Sequence, residues 1–289
     1  MTEMLSVMDL FALTAVMVIG LPHGAFDGAI AFFLGYGRSR ARMTGFLVMY
    51  LFLAGLYALF WSMLPVFGLA AFLAMTVLHF GSGDIQHLAP VWTGRAGQLL
   101  KTCQIIVHGG LVTIVLPYFH PDEVMQLFII LAGPGAAVLM DAVYPALLVW
   151  LAAAAVYLLA GLGGPAKRAY SMAAAELAGL VLVIWTLPPL AGFALYFCVV
   201  HSRRHFASIW TTMQSRISRR LIIISGAVLT GLSWAMGAGL YFSQTLGGGF
   251  TADEAFVRTV FILLAALTVP HMVLVDTLYR PKTKKMAQI

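Results

Sequence analysis

The chain has 289 residues, 61% of them apolar and only 10% charged, with a formal net charge of +6. Soluble domains carry about a quarter charged residues, so this surface cannot face water on all sides. Nor does any stretch offer the basic, water-exposed face that a nucleic-acid partner needs; basic loops against anionic lipid account for the charge.

A crossing of the hydrocarbon core takes about 20 apolar residues. In chain order, apolar runs fall at roughly 5–34, 43–64, 66–81, 99–118, 124–140, 144–162, 171–188, 190–212, 221–243 and 256–278. The first run opens beside Glu3 and Asp9 with no basic lead-in, so it is expected to remain as a span rather than be cleaved as a signal peptide. Small residues such as Gly237-Ala238-Gly239 and Ala152–Ala155 suit close helix packing in lipid. Cys103 and Cys198 lie inside apolar runs and supply neither a disulfide framework nor a zinc spacing. The expectation is an all-α, polytopic transmembrane helix bundle of about 8–10 apolar segments. It reads as one integral membrane domain over 1–289, with the bundle at about 5–278 and a basic tail at 279–289.

Basic clusters occur at Arg38/Arg40/Arg42, Arg95/Lys101, Lys167/Arg168, Arg216/Arg219/Arg220 and Arg280/Lys282/Lys284/Lys285, and acidic loops at Asp122/Glu123 and Asp253/Glu254. Placing the basic clusters in the cytoplasm puts the N-terminus outside and the C-terminus inside a cell (inner) membrane. The stretch 124–162 resists this scheme. It reads as two runs divided at Asp141–Pro145, yet the flanking charges require an odd number of crossings.

The chemistry lies in the histidines. His87 and His120 fall in or beside loops, where a solvated histidine is ordinary. His23, His79, His108, His201, His205 and His271 lie within spans, where an ionisable group is costly and reads as functional by default. His201 and His205, four apart, share a helix face and have the spacing to reach one metal ion. The same spacing also suits a hydrogen-bonded helix contact. His23 sits in Leu21-Pro22-His23-Gly24-Ala25-Phe26-Asp27-Gly28 and His79 in His79-Phe80-Gly81-Ser82-Gly83-Asp84. Glycine and proline at membrane depth are tolerated where protein or a cavity satisfies the freed backbone. Asp27 and Asp84, four and five residues after their histidines, are placed to accept an imidazole N–H and fix its tautomer. Four neutral imidazoles without a thiolate pair suit iron, copper, zinc or nickel and disfavour magnesium or calcium. Arg203 and Arg204 read first as partners for Asp27, Asp84 or Glu176, or as snorkelling side chains. Trp185, Phe193, Tyr196, Phe197, Phe206, Trp210 and Trp234 read as packing and interface anchors, some of which line any pocket.

Taken together, Pro22-His23-Gly24-Ala25-Phe26-Asp27, His79-Phe80-Gly81-x-x-Asp84, His108-Gly109, Tyr196-Phe197-x-x-x-His201-Ser202-x-Arg204-His205 and Pro270-His271-Met272 resemble the Brp/Blh family of bacterial and archaeal membrane β-carotene 15,15′-dioxygenases. The resemblance runs from about residue 15 to 277. It implies cleavage of β-carotene or a related carotenoid at its central double bond by O₂ and non-haem Fe(II), giving two retinals. Carried over by motif, the iron-binding histidines are His23, His79, His201 and His205. Asp27, Asp84, His108, Arg204 and His271 are candidates for holding those ligands, with His108 and His271 equally compatible with alternative ligation or helix packing. A retinal-forming enzyme also implies pairing with a retinal-binding rhodopsin. Phe26 stands where the family commonly has leucine, and Gly28 where it has a bulkier polar residue.

Three other classes are separable. A di-iron desaturase needs H-x-x-H-H clusters, and this sequence has none. A haem-binding membrane protein predicts a Soret band. A transporter or carotenoid-binding partner without chemistry predicts neither metal nor aldehyde product. Lys101 and Lys167 lie at span ends rather than in mid-span, so the chain is not itself expected to be a rhodopsin.

Overall fold

A computed structural model describes residues 5–85, 94–162, 167–214, 217–247 and 249–279, and for His23, Gly161, Leu162, Lys167 and Tyr279 the backbone alone. His87, Arg216 and the basic tail from Arg280 lie outside the described residues. Every regular element among the described residues is helical.

The first span shows how the sequence shapes its own irregularities. Helix α1 (Val7–Ala15) passes through a π-helical turn at Val16–Gly20 and a 3₁₀ segment at Leu21–Phe26 into α2 (Asp27–Phe33). A proline removes one ladder hydrogen bond and its ring collides with the carbonyl four residues back. The wider π turn relieves that collision ahead of Pro22, with the Leu21 N–H donating to the Val16 carbonyl. The next carbonyl in that register, Met17, would look to the N–H that Pro22 lacks; the Trp234 indole N–H donates to it instead at 2.9 Å.

Helix α3 (Arg40–Met63) starts where Ser39 Oγ accepts the Arg42 N–H at 3.2 Å. Pro65 ends it and opens α4 (Pro65–Asp84). Helix α5 (Gly94–Gly110) repeats the proline device, entering a π turn at Leu111–Val115 just before α6 (Leu116–Phe119) with Pro117. The remaining helices are α7 (Pro121–Ala132), α8 (Val138–Asp141), α9 (Val143–Leu162), α10 (Lys167–Thr186) and α11 (Pro189–Leu195). A third π turn at Tyr196–His201 then leads into α12 (Ser202–Met213), followed by α13 (Arg219–Gly247) and α14 (Ala252–Tyr279).

Among the described residues, eight helical runs are long and apolar enough to cross a membrane: Val7–Phe33, Arg40–Met63, Pro65–Asp84, Gly94–Phe119, Pro134–Ala160, Arg168–Thr186, Arg219–Gly247 and Ala252–Leu278. The protein is therefore an all-α, multi-pass bundle. Two expected runs are not among the eight. The 124–140 run is broken at Gly133, whose φ of 81° stops α7 after 12 residues, about 18 Å of helix against a core of about 30 Å. The chain then makes one crossing-length run from Pro134, so the break falls before the Asp141–Pro145 position read from sequence. The 190–212 run is helical, but its polar stretch of Ser202, Arg203, Arg204 and His205 keeps it out of that set.

Contacts divide the chain into two compact units. The first gathers Leu13–Gly68 with the chain from Ser202 onward, and the second gathers Leu69–His201 with Val7–Ala12. In the first, α14 packs on α3, and α13 packs on the 3₁₀ segment, α2 and α14. Ala29, Ile30, Ile209, Met213, Ile222, Leu274 and Leu278 form its buried core. In the second, α5 packs on α9, held where the Trp150 indole donates to the Val107 carbonyl at 2.9 Å.

Candidate metal centre

In the second unit the site grows from an unusually close pass of α4 and α5. A Cβ on Gly81 would stand 2.2 Å from the Ile105 carbonyl oxygen, and one on Gly109 2.0 Å from that of Val77. Only glycine permits this backbone approach. Gly83 makes room next, since a Cβ there would lie 3.3 Å from His201 Cε1. On either side of Gly81 and Gly83, α4 carries His79 and, five residues on, Asp84.

The π turn at Tyr196–His201 meets them. In an α-helix, residues five apart project about 140° apart; the i→i+5 register brings them onto one face. Tyr196 and His201 thus clamp a single carboxylate. The Tyr196 hydroxyl donates to Asp84 Oδ2 at 2.5 Å, and His201 Nδ1 donates to Asp84 Oδ1 at 3.1 Å. All three are fully enclosed, at 1% exposure or less. A carboxylate only accepts, so it assigns the proton to Nδ1 and leaves Nε2 with its lone pair. That Nε2 is hydrogen-bonded to His79 Nε2 at 3.3 Å, as acceptor, with the ring centroids 4.9 Å apart. Two imidazoles on one ion at about 2.1 Å each stand at such a separation. Phe80, 4.2 Å from the His201 ring, and the parallel stack of Phe193, Phe197 and His201 wall the pair with aromatic carbon.

The first unit holds a second constellation. Asp27, fully buried at the start of α2, accepts from His271 Nδ1 at 2.7 Å and from the Tyr50 hydroxyl at 2.7 Å. His205 on α12 meets the His271 ring at 4.8 Å, nearly edge-on. An apolar cleft lined by Leu21, Leu229, Leu264 and Leu267 reaches Tyr50 and His271. Gly28 is tightly packed: a Cβ there would stand 3.1 Å from Ser225 Cβ and 3.2 Å from Leu229 Cδ1, so those α13 side chains would have to give by a few tenths of an ångström.

The structure thus groups His79, Asp84 and His201, and separately Asp27, His205 and His271. The His201 ring lies beside that of His79, and the His205 ring beside that of His271. Among the described residues, no group of three or more His, Cys, Asp or Glu side chains is already placed to hold a metal ion. The donors nonetheless fit a soft-to-borderline metal: buried imidazoles, one with its lone-pair nitrogen assigned by a carboxylate. Asp27 and Asp84, read as partners for Arg203 or Arg204, are bonded by histidine and tyrosine. Arg204 is half-buried and Arg203 exposed. His108 is buried against Tyr157, with ring centroids 5.9 Å apart. His120, expected to be solvated, is half-buried with a ring nitrogen 2.7 Å from the Ile184 carbonyl in the last turn of α10. Sequence reasoning missed Tyr50 altogether and took Tyr196 for a packing residue; the second was signalled only by standing five residues before His201.

The sequence profile of a family described as beta-carotene 15,15′-dioxygenase matches residues 14–279. The chain is 40% identical over 283 residues to a beta-carotene 15,15′-dioxygenase of an uncultured marine bacterium, 66A03, covering 98% of each chain. It is 29% identical over 288 residues to a probable beta-carotene 15,15′-dioxygenase Blh of Halobacterium salinarum, covering 91% of this chain and 82% of that one. No solved structure matches it.

Proposed function

The chain belongs to the beta-carotene 15,15′-dioxygenase family, and from that premise we propose that it cleaves β-carotene or a related carotenoid at the central double bond with O₂, forming two retinals at an Fe(II) site held by His23, His79, His201 and His205. The observation that carries this reading is the His79–His201 pair, whose Nε2 atoms lie 3.3 Å apart in a buried aromatic enclosure. Ferrous iron, when bound, supplies an open-shell centre at which O₂ can react with an otherwise inert alkene.

The remaining work belongs to the protein. Asp84 and Tyr196 hold the His201 ring in one tautomer and orientation. Phe80, Phe193 and Phe197 keep water from the pair, which protects an aldehyde-forming reaction from side chemistry. Opening one carbon–carbon double bond to two carbonyls supplies the four electrons that reduce O₂, so the reaction requires no external reductant. A carotenoid is about as long as the ~30 Å core is thick and arrives from lipid, so it is expected to lie in a long tunnel open to the bilayer. The retinal product stays in the membrane, where a retinal-binding rhodopsin is its natural recipient.

The basic loops support a cell (inner) membrane with the N-terminus outside and the C-terminus in the cytoplasm. Eight crossings alone would leave both termini on one side, so this orientation requires the Pro189–Met213 run to cross as a ninth. Stripping the metal should abolish retinal formation, and Fe(II) should restore it better than other divalent ions. Full turnover in a rigorously iron-free preparation would overturn the iron assignment.

A further inference from the structure

Each unit holds one aspartate, one tyrosine and two histidines, with matching carboxylate contacts and ring geometry. In the second, Asp84 takes His201 Nδ1 on one oxygen and Tyr196 on the other, and the His201 ring meets His79 at 4.9 Å and 67°. In the first, Asp27 takes His271 Nδ1 on one oxygen and Tyr50 on the other, and the His271 ring meets His205 at 4.8 Å and 68°. The backbones beneath are unrelated. Tyr196 and His201 share one π turn, whereas Tyr50 and His271 come from α3 and α14. No internal repeat generates the likeness, so a common chemical demand is its simplest cause.

From this correspondence we propose that His271 is itself a metal-binding imidazole, the counterpart in the first unit of His201 in the second, with Asp27 and Tyr50 as its positioning residues. The inference rests on the reading of the chain as an iron enzyme and extends its ligand set. A packing histidine would need one hydrogen-bond partner. His271, 2% exposed, has a carboxylate that is further fixed by a buried tyrosine, and a second imidazole set edge-on beside it. Asp27 holds the proton on Nδ1, so Nε2 presents a lone pair, the form in which imidazole binds a metal. The low exposure of the ring and carboxylate makes the arrangement costly unless its polar groups are used.

The test uses the full chain in detergent, loaded anaerobically with Fe(II) and converted to its nitric oxide adduct, with bound imidazole nitrogens counted by pulsed electron paramagnetic resonance. H271A should show one fewer bound imidazole than wild type, weaken iron binding at least about tenfold, and recover the count with added free imidazole. An unchanged count and affinity would overturn the proposal. Should H271A fail to fold, the near-isosteric D27N decides: iron binding should weaken about 10–100-fold, as in D84N. Wild-type binding by D27N beside weakened D84N refutes the role of His271. If H201A and H79A also keep the full count, the iron reading fails and takes this inference with it. If they lose imidazoles while H271A does not, this inference alone fails.

Discussion

At the scale of single residues, the site depends on polar contacts that no solvent can replace. Tyr196 donates to a fully buried carboxylate, and a hydrogen bond to a charged group contributes about 1.5–3 kcal/mol. Tyr196→Phe removes that donor without changing ring volume. It should lower iron affinity and turnover measurably, yet less than His79→Ala or His201→Ala, each of which should nearly abolish turnover while the protein still inserts in the membrane. Iron titration beside a retinal assay orders the variants; a Tyr196→Phe enzyme indistinguishable from wild type in both would remove the tyrosine from the site. The aspartates were readable in the sequence because a carboxylate one turn after a mid-span histidine is chemically conspicuous. Their tyrosines were not. Tyr50 lies on another helix from Asp27, and Tyr196 reaches Asp84 only through a π register that nothing in the local sequence announces.

At the scale of elements, glycine and proline set the geometry. Because Gly81 and Gly109 let α4 and α5 touch backbone to backbone, adding a methyl group to either must part the helices. The obstruction is a carbonyl and not a flexible side chain. Gly81→Ala and Gly109→Ala should each cost about 1–3 kcal/mol or more and lower iron occupancy, since His79 stands two residues from Gly81. Gly45→Ala and Gly55→Ala, which meet nothing within 4 Å, should be tolerated. Thermal unfolding in detergent with parallel metal analysis checks both pairs, and normal stability in the Gly81 and Gly109 variants would refute the crowding argument. Hydropathy located the helices well because a lipid solvent rewards long apolar runs. It failed over 124–140, where Gly133 halts the helix whatever its apolarity.

At the scale of the whole molecule, the outward faces are apolar. On α3 the side chains of Val48, Phe52 and Leu59 are 55–61% exposed, which suits lipid contact and not water. A catalyst in this setting receives O₂ and an apolar substrate from the bilayer, and the chain carries no flavin or nicotinamide fingerprint through which a reductase would deliver electrons. Both product oxygens are therefore expected to come from O₂. Brief turnover under ¹⁸O₂, with the aldehydes reduced before they exchange, should label both retinals. A water-derived oxygen in one of them would replace the dioxygenase by a monooxygenase and leave the metal site standing.

Composition and periodicity alone determined that the chain is a multi-pass helical bundle, because a 61% apolar chain has lipid as its solvent and helices satisfy their own backbone groups there. Motif alone marked six mid-span histidines and two aspartates, since ionisable groups at that depth are too costly to be incidental. Which histidine meets which was decided only by tertiary structure. His201 closes a π turn and its ring meets His79, while His205 stands on an α-helix and its ring meets His271. Helical spacing is a local property, and the partners of a buried ring are chosen by the helices packed against it.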